Sequence, residues 1–360
     1  MKDYIIVGAG LSGTCLAYRL EKSGRSFVVF DDGSQEASKV AGGFMNPVIL
    51  KRFTLAWKAD EHLEAAYAFY SDMERHLEKQ FLSPLEVYRR FSSVEEQNNW
   101  FAAADKPRLA PFLDTKLVPQ VNDHVPGRFS FGRVLKTSRI DPRYLLDSYA
   151  EHLEEKGWFK NDSFEYDELQ VSASGVSYKG IDAKNVIFCE GFGLQKNPFF
   201  NYLPLRGNKG EYIIIKAPKL DLEVGVKSSI FIFPAGGDHY AVGATYSNTD
   251  KTPEPTTEAR EELVEKLKDL LDVEFEVVDQ VAGLRPSTID RRPLVGRHPE
   301  HEHLYTCNGF GSRGILIAPS ISKELVDFVE TGKSLDPETD ISRFTKKWFK
   351  KSQGFAFPGS

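Results

Sequence analysis

Cysteine is scarce: three thiols in 360 residues, Cys15, Cys189 and Cys307, too scattered for a disulfide framework or a metal-ligand spacing. Long apolar runs are missing as well, and nothing approaches the ~18 residues that a membrane span needs. The opening Met1-Lys2-Asp3-Tyr4-Ile5-Ile6-Val7 meets glycine too soon for the apolar heart of a signal peptide. Neither sign of charge dominates. Lys+Arg 46 against Asp+Glu 52 leaves −6, which argues against a general polyanion-binding surface and makes a nucleic-acid partner unexpected. No internal repeat or low-complexity tract interrupts the chain. These absences leave a cytoplasmic, globular protein without bound metal as the expectation. At about 150 residues per domain, that means two domains or one large α/β unit with an insertion.

What is present begins with a strand, a glycine turn and a helix. Tyr4-Ile5-Ile6-Val7 is a short continuous apolar run, as in a central parallel strand buried on both faces. Gly8-Ala9-Gly10-Leu11-Ser12-Gly13 follows, then a helix over about 14–22 and a second strand, Phe27-Val28-Val29-Phe30, ending at Asp31-Asp32-Gly33. The middle predicts a helix over 59–80, a strand over 85–91, a helix over 95–104 and a proline-rich loop over 106–126. Residues 129–140 read as β. Asp141-Pro142 then opens a helix, with Asp at the N-cap and Pro in the first turn. Strands return over 165–188. Residues 200–280 read as a mainly antiparallel layer with one amphipathic helix over 257–272. Strands at 276–281, 294–295 and 304–307 lead to a second glycine turn and a helix over 318–330. The fold class is therefore α/β: a discontinuous Rossmann-like domain with an antiparallel-sheet domain inserted. The expected division gives 1–85, 136–198 and 282–345 to the first, 86–135 and 199–281 to the second, and 346–360 to a C-terminal tail.

Gly8, Gly10 and Gly13 make G-x-G-x-x-G between a strand and a helix, the context that gives the motif its meaning. The first glycine permits the tight turn, the second lets backbone approach a pyrophosphate, and the third lets helix and strand pack closely. The helix start at Leu11 and Ser12 supplies N–H donors to phosphate. Asp31, closing the second strand, is placed to accept ribose hydroxyls, with Asp32 as its competitor. An acidic pair with no arginine beside it disfavours a 2′-phosphate. The motif alone does not separate NAD from FAD.

Later residues do. Ala37-Ser38-Lys39-Val40-Ala41-Gly42-Gly43, the strand ending at Gly191, Ala282-Gly283-Leu284-Arg285-Pro286, and Asn308-Gly309-Phe310-Gly311-Ser312-Arg313-Gly314-Ile315 occur in that order. Together they resemble the D-amino-acid oxidase / glycine oxidase family of FAD-dependent amine oxidoreductases, over nearly the whole chain. The resemblance implies non-covalent FAD held at Gly8, Gly10, Leu11, Ser12, Gly13, Asp31, Asp32, Ser38, Ala41, Gly42, Gly43, Gly191, Gly309, Gly311, Ser312, Arg313, Gly314 and Ile315. It implies oxidation of a CH–NH bond by hydride transfer to flavin N5, with O2 or a quinone taking the electrons. The Gly311 turn, opening a helix, would face the flavin and stabilise the reduced ring. Arg285 and Arg313 would hold a substrate carboxylate through planar guanidinium forks. Phe231 stands where glycine oxidases carry a tyrosine, which leaves room for a bulkier or less polar amine. The Gly-Ser-Arg-Gly form is also similar to tRNA-wobble-uridine-modifying oxidases. Phe231 keeps open a flavin-binding protein without amine turnover.

Other residues take plain readings. His298, His301 and His303 read as a solvated turn, His239 as structural, Cys15 and Cys307 as core, and Lys346–Lys351 as a terminal helix edge.

Overall fold

Strand β1 (Lys2–Val7) has both faces covered and carries the centre of an eight-stranded sheet. It lies parallel to β2 (Phe27–Asp31) on one side and to the strand Ile181–Phe188 on the other. Phe159–Asn161 extends the β2 side in parallel, and Leu304–Asn308 pairs in parallel with the end of Ile181–Phe188. Two short antiparallel additions complete it: Gly175–Tyr178 with Gln170–Ser172, and Leu294–Arg297 beside Leu304–Asn308. Alternate residues of β1 feed different layers. Ile6 packs with Leu16, Leu63, Leu145 and Leu316 from four helices, whereas Ile5 and Val7 pack with Tyr178 and Phe200. The four helices are Leu11–Lys22, Ala59–Leu77, Pro142–Glu155 and Gly314–Thr331. Asp141 caps the third as its sequence implies, accepting the Tyr144 amide at 3.1 Å. The computed structural model describes residues 1–354.

A second, seven-stranded sheet runs Glu276–Thr288, Leu205–Lys216, His239–Gly243, Phe231–Gly236, Gly225–Lys227, Val87–Arg90, Phe131–Val134. All its pairs are antiparallel except Gly225–Lys227 with Val87–Arg90. One face buries Ile213, Ile215, Ile232 and Val242 under Leu263 and Leu267 of the helix Thr257–Lys268. Its other face meets Phe44 and the turn around Val40 and carries the site described below. A small third sheet, Phe44–Met45, Ser138–Ile140 and Leu82–Pro84, bridges the two.

Several boundaries differ from expectation. The 85–91 strand begins at Val87, and the β region 129–140 splits between two sheets at a turn where Lys136 takes φ 57°. The strand expected to stop at 281 continues to Thr288, so Arg285 lies within it instead of following it, and the expected boundary at 282 falls inside one element. The last long helix starts at Gly314, not 318, and carries Pro319 in its interior. The expected tail opens as a helix, Thr345–Gly354, and positions 355–360 lie outside the described residues.

Candidate active site

The N-terminal glycine turn is shaped for close approach. A Cβ at Gly13 would sit 1.8 Å from the Gly8 carbonyl oxygen, and one at Gly8, where φ is 100°, 2.6 Å from that of Cys189. Neither position admits a side chain. Gly10 caps the helix Leu11–Lys22 with no side-chain donor or acceptor of its own. Asp31 folds back over the turn: Oδ2 accepts the Ala9 amide at 2.5 Å and Oδ1 the Gly33 amide at 2.8 Å. Asp32 points elsewhere, to the Ser34 amide and the Ser163 hydroxyl, so the carboxylate at the turn is Asp31. Ser38 Oγ accepts the Leu11 amide at 3.1 Å and would lie 3.3 Å from a Cβ at Gly10, which puts the 36–40 turn at the helix start. Ser12 is occupied internally, its hydroxyl donating to the Cys307 carbonyl at 2.6 Å.

That last bond joins the two glycine turns. Gly309 and Gly311 take φ 79° and 57°, and Asn308 Nδ2 donates to the Gly191 carbonyl at 2.9 Å, tying three of the expected segments together. The Gly311 amide donates to the Pro286 carbonyl at 3.1 Å. It is therefore spent within the protein, leaving Gly314 and Ile315 as the amides that open the helix. Ser312 is exposed beside them. A Cβ at Gly43 would stand 1.9 Å from the Ile140 carbonyl oxygen, so the Ala41-Gly42-Gly43 segment lies flat on the bridging sheet. A helix N-terminus at each glycine turn, the Asp31 carboxylate over the first turn and side-chain-free backbone between them fit an adenine dinucleotide with a flat ring.

The seven-stranded sheet supplies the opposing wall. Residues opposite one another in an antiparallel ladder share a face. Asn208 faces Arg285, Tyr212 faces Gly243, Gly243 faces Phe231 and Ala241 faces Phe233, so Arg285, Tyr212, Phe231 and Phe233 project from one side. Arg285 Nη1 donates to Asn208 Oδ1 at 2.8 Å, and the guanidinium lies over Gly210, where a Cβ would meet Nη2 at 1.8 Å. Glycine there lets the group lean along the strand toward Tyr212. Among the described residues Arg285 has no acidic partner within ion-pair range. Phe231 packs against Phe44 in a tilted pair, ring centroids 4.3 Å apart, and Phe233 meets Phe44 edge-on at 4.7 Å. A Cβ at Gly283 would touch Val40 at 2.6 Å, so the 36–40 turn rests directly on the sheet beside Arg285.

Arg313 and Arg285 take different partners. Arg313 Nη1 donates to the Asn46 carbonyl at 2.8 Å, and burial lowers its pKa to about 10. It clamps the 46–48 backbone and caps the helix Gly314–Thr331. Three residues absent from the sequence-based set complete the wall. Tyr212 is held protonated by burial, its pKa pushed up while Arg285 and Arg139 pull it down. Arg139 donates from Nε to the Gly42 carbonyl at 3.1 Å and sits 5.2 Å from the Phe233 ring centroid. Phe44 is the third.

The histidine reading needs correction. His298 is not solvated: it is buried, and its Nδ1 accepts the Glu300 and His301 amides, both at 3.1 Å. A separate cluster gave no signal in sequence: Glu21 Oε1 lies 2.7 Å from His152 Nε2 and 3.2 Å from His76 Nε2, at the ends of three helices. Cys15 and Cys307 are buried as expected, and no helix among the described residues is long and apolar enough to cross a membrane.

Comparison with known proteins agrees with this geometry. The chain is 26% identical to the glycine oxidase of Bacillus licheniformis, over 91% of this chain and 92% of that protein. It is 22% identical to the bifunctional protein of Marinobacter nauticus for tRNA 5-methylaminomethyl-2-thiouridine biosynthesis, covering 90% of this chain and 54% of that one. The crystal structure of glycine oxidase from Geobacillus kaustophilus superposes with a TM-score of 0.80 over 96% of this chain and 98% of its own, at 20% identity. Residues 3–328 match the model of the DAO family, described as FAD dependent oxidoreductase, and the chain belongs to that family.

Proposed function

We propose that this enzyme oxidises the CH–NH bond of an amino acid or closely related amine, and that Arg285 recognises the substrate's carboxylate. The observation that carries the reading is the Arg285 guanidinium itself: oriented by Asn208, without an acidic partner, and turned along the sheet face toward Tyr212. The two glycine turns and Asp31 would hold FAD, which would supply the two-electron acceptor. The remaining work is binding and orientation. Arg285 offers Nη2 and Nε to the carboxylate as a fork. Tyr212, protonated, can donate a hydrogen bond to the same group. Phe44, Phe231 and Phe233 exclude water from the reacting carbon and favour the uncharged amine, whose lone pair assists loss of hydride. Water then hydrolyses the imine that results. In this reading the eight-stranded unit is the FAD domain and the seven-stranded unit the substrate domain. The carbonyl clamp at Asn46 makes Arg313 a positioning residue for the glycine turn. The electron acceptor is O2 or a quinone, and the enzyme works in the cytoplasm.

Anaerobic mixing tests this. Glycine, N-methylglycine and D-amino acids are added to the yellow protein and the 450 nm band is followed. Bleaching by at least one of them, abolished in Arg285→Met, is the expected result; a flavin that none of them reduces sinks the amine assignment. The second reading is a tRNA-modifying oxidase, favoured by the Gly-Ser-Arg-Gly turn and by the tRNA-modifying relative, of which this chain spans about half the length. Salt-sensitive retention of tRNA would favour it.

A further inference from the structure

Arg139 has no task in that reading, yet its position is specific. It lies directly opposite Phe44 in the bridging sheet, so the two project together onto the seven-stranded face. Phe44 lands on Phe231, and the Arg139 guanidinium lands over Phe233. Only Nε is engaged, by the Gly42 carbonyl. Among the described residues Nη1 and Nη2 have no protein acceptor, and no acidic group lies within ion-pair range. The nearest carboxylate in sequence, Asp141, is turned away to cap the helix Pro142–Glu155. Partial burial lowers the Arg139 pKa, and Asp141 offsets part of that effect; the side chain keeps a solvent-facing part. A half-buried guanidinium over an aromatic ring, with two nitrogens still free to donate, is a ready receptor for an anion.

Arg139 and Arg285 also share a neighbour. Both act on the Tyr212 hydroxyl, Arg285 from along its own sheet and Arg139 from the bridging sheet. That hydroxyl lies 3.1 Å from where a Cβ at Gly42 would be, beside the backbone expected to meet the flat ring. Two guanidinium groups with no acidic partner among the described residues therefore flank one hydroxyl, beside the Phe44, Phe231 and Phe233 rings. A substrate with a single carboxylate would satisfy Arg285 and leave Arg139 unpaired. We infer that Arg139 forms a second anion subsite and that the substrate is an amine bearing two carboxylates, one held by Arg285 and the other by Arg139. This rests on the amine-oxidising reading and narrows its substrate class.

The test compares matched amines on the holoenzyme: N-methylglycine with one carboxylate, and iminodiacetate and N-carboxymethyl-β-alanine with two. The wild type is expected to show kcat/KM at least about tenfold higher for one of the diacids, the scale of an added charge-assisted contact. In Arg139→Gln the diacid-to-monoacid ratio should fall to near one, and Arg139→Lys should restore part of it. A binding readout independent of turnover is the flavin band shift on titration with glutarate against butyrate. The diacid should bind more tightly to the wild type and lose that advantage in Arg139→Gln. A wild type that oxidises N-methylglycine with no diacid preference overturns the inference and leaves the amine reading standing. Equal losses on all amines in Arg139→Gln, with FAD released, overturn it by making Arg139 a support for the Gly42 segment. If no amine reduces the flavin, both fall.

Discussion

Asp31 and Arg285 are single side chains whose removal should separate cofactor from substrate. Asp31 is the carboxylate folded over the first glycine turn. Asp31→Ala should weaken FAD retention by about 1–3 kcal/mol, the scale of hydrogen bonds to a charged group, read as the Kd of the reconstituted apoprotein. Equal retention would mean that Asp31 only braces the Ala9 amide. Arg285→Met should raise KM by the equivalent of about 2–4 kcal/mol, because a desolvated carboxylate loses its hydrogen-bonded partner. FAD affinity should barely move, since the Arg285 partners, Asn208 and the Thr245 carbonyl, lie in the seven-stranded sheet and just past the end of one of its strands. A KM within twofold of the wild type would remove Arg285 from the site. Both candidates stand out in the sequence because each sits in a local motif: Asp31 ends the strand after G-x-G-x-x-G, and Arg285 lies between Leu284 and Pro286. Tyr212 and Arg139 do not. Their placement comes from strand register with distant segments, Tyr212 opposite Gly243 and Val281 and Arg139 opposite Phe44, which no local pattern records.

At the scale of elements, proline and glycine misled where tertiary contacts override them. Gly283 and Pro286 read as a strand terminus, yet Glu276–Thr288 runs through both. It does so because it is an edge strand, where the missing Pro286 N–H costs no ladder bond, and because Gly283 makes room for Val40. The helix expected from 318 instead begins at Gly314, so Pro319 lies inside Gly314–Thr331 and removes the bond that an amide there would give to the Ile315 carbonyl. The fold answers with a side chain: the Tyr70 hydroxyl, from the helix Ala59–Leu77, donates to that carbonyl at 2.9 Å. Tyr70→Phe would keep the ring and strip the donor, leaving a buried carbonyl unpaired. The expected cost is about 1–3 kcal/mol of stability, measured by urea denaturation. FAD retention should fall with it, since this helix opens at the second glycine turn. An unchanged denaturation midpoint would show that water replaces the hydroxyl.

The whole molecule depends on contacts that the chain makes between its distant parts, and His298 is one whose strength follows pH. It follows the strand Leu294–Arg297, meets Phe200 at 5.4 Å between ring centroids and Trp348 at 4.4 Å, and so joins the first sheet to the segment before the second and to the last helix. Its Nδ1 accepts two backbone amides, which requires the neutral ring at that atom, and burial holds its pKa down to about 3. His62, also buried, is held down to about 4 by the same cause. For a base whose folded pKa is depressed, the unfolded chain binds more protons between the two values, so stability rises with pH across that window. The stabilisation is full above the ordinary histidine pKa of about 6.5 and is lost progressively as pH falls toward the folded values. From pH 7.5 to 4.5 the His298 contribution should drop on the order of 2–3 kcal/mol. Thermal denaturation of the holoenzyme at these two pH values checks it. His298→Leu should melt lower than the wild type at pH 7.5, having lost its two amide contacts, and should show a smaller further fall at pH 4.5. Parallel decreases in the two proteins would assign the acid sensitivity to other groups, with His62→Leu the next variant to compare.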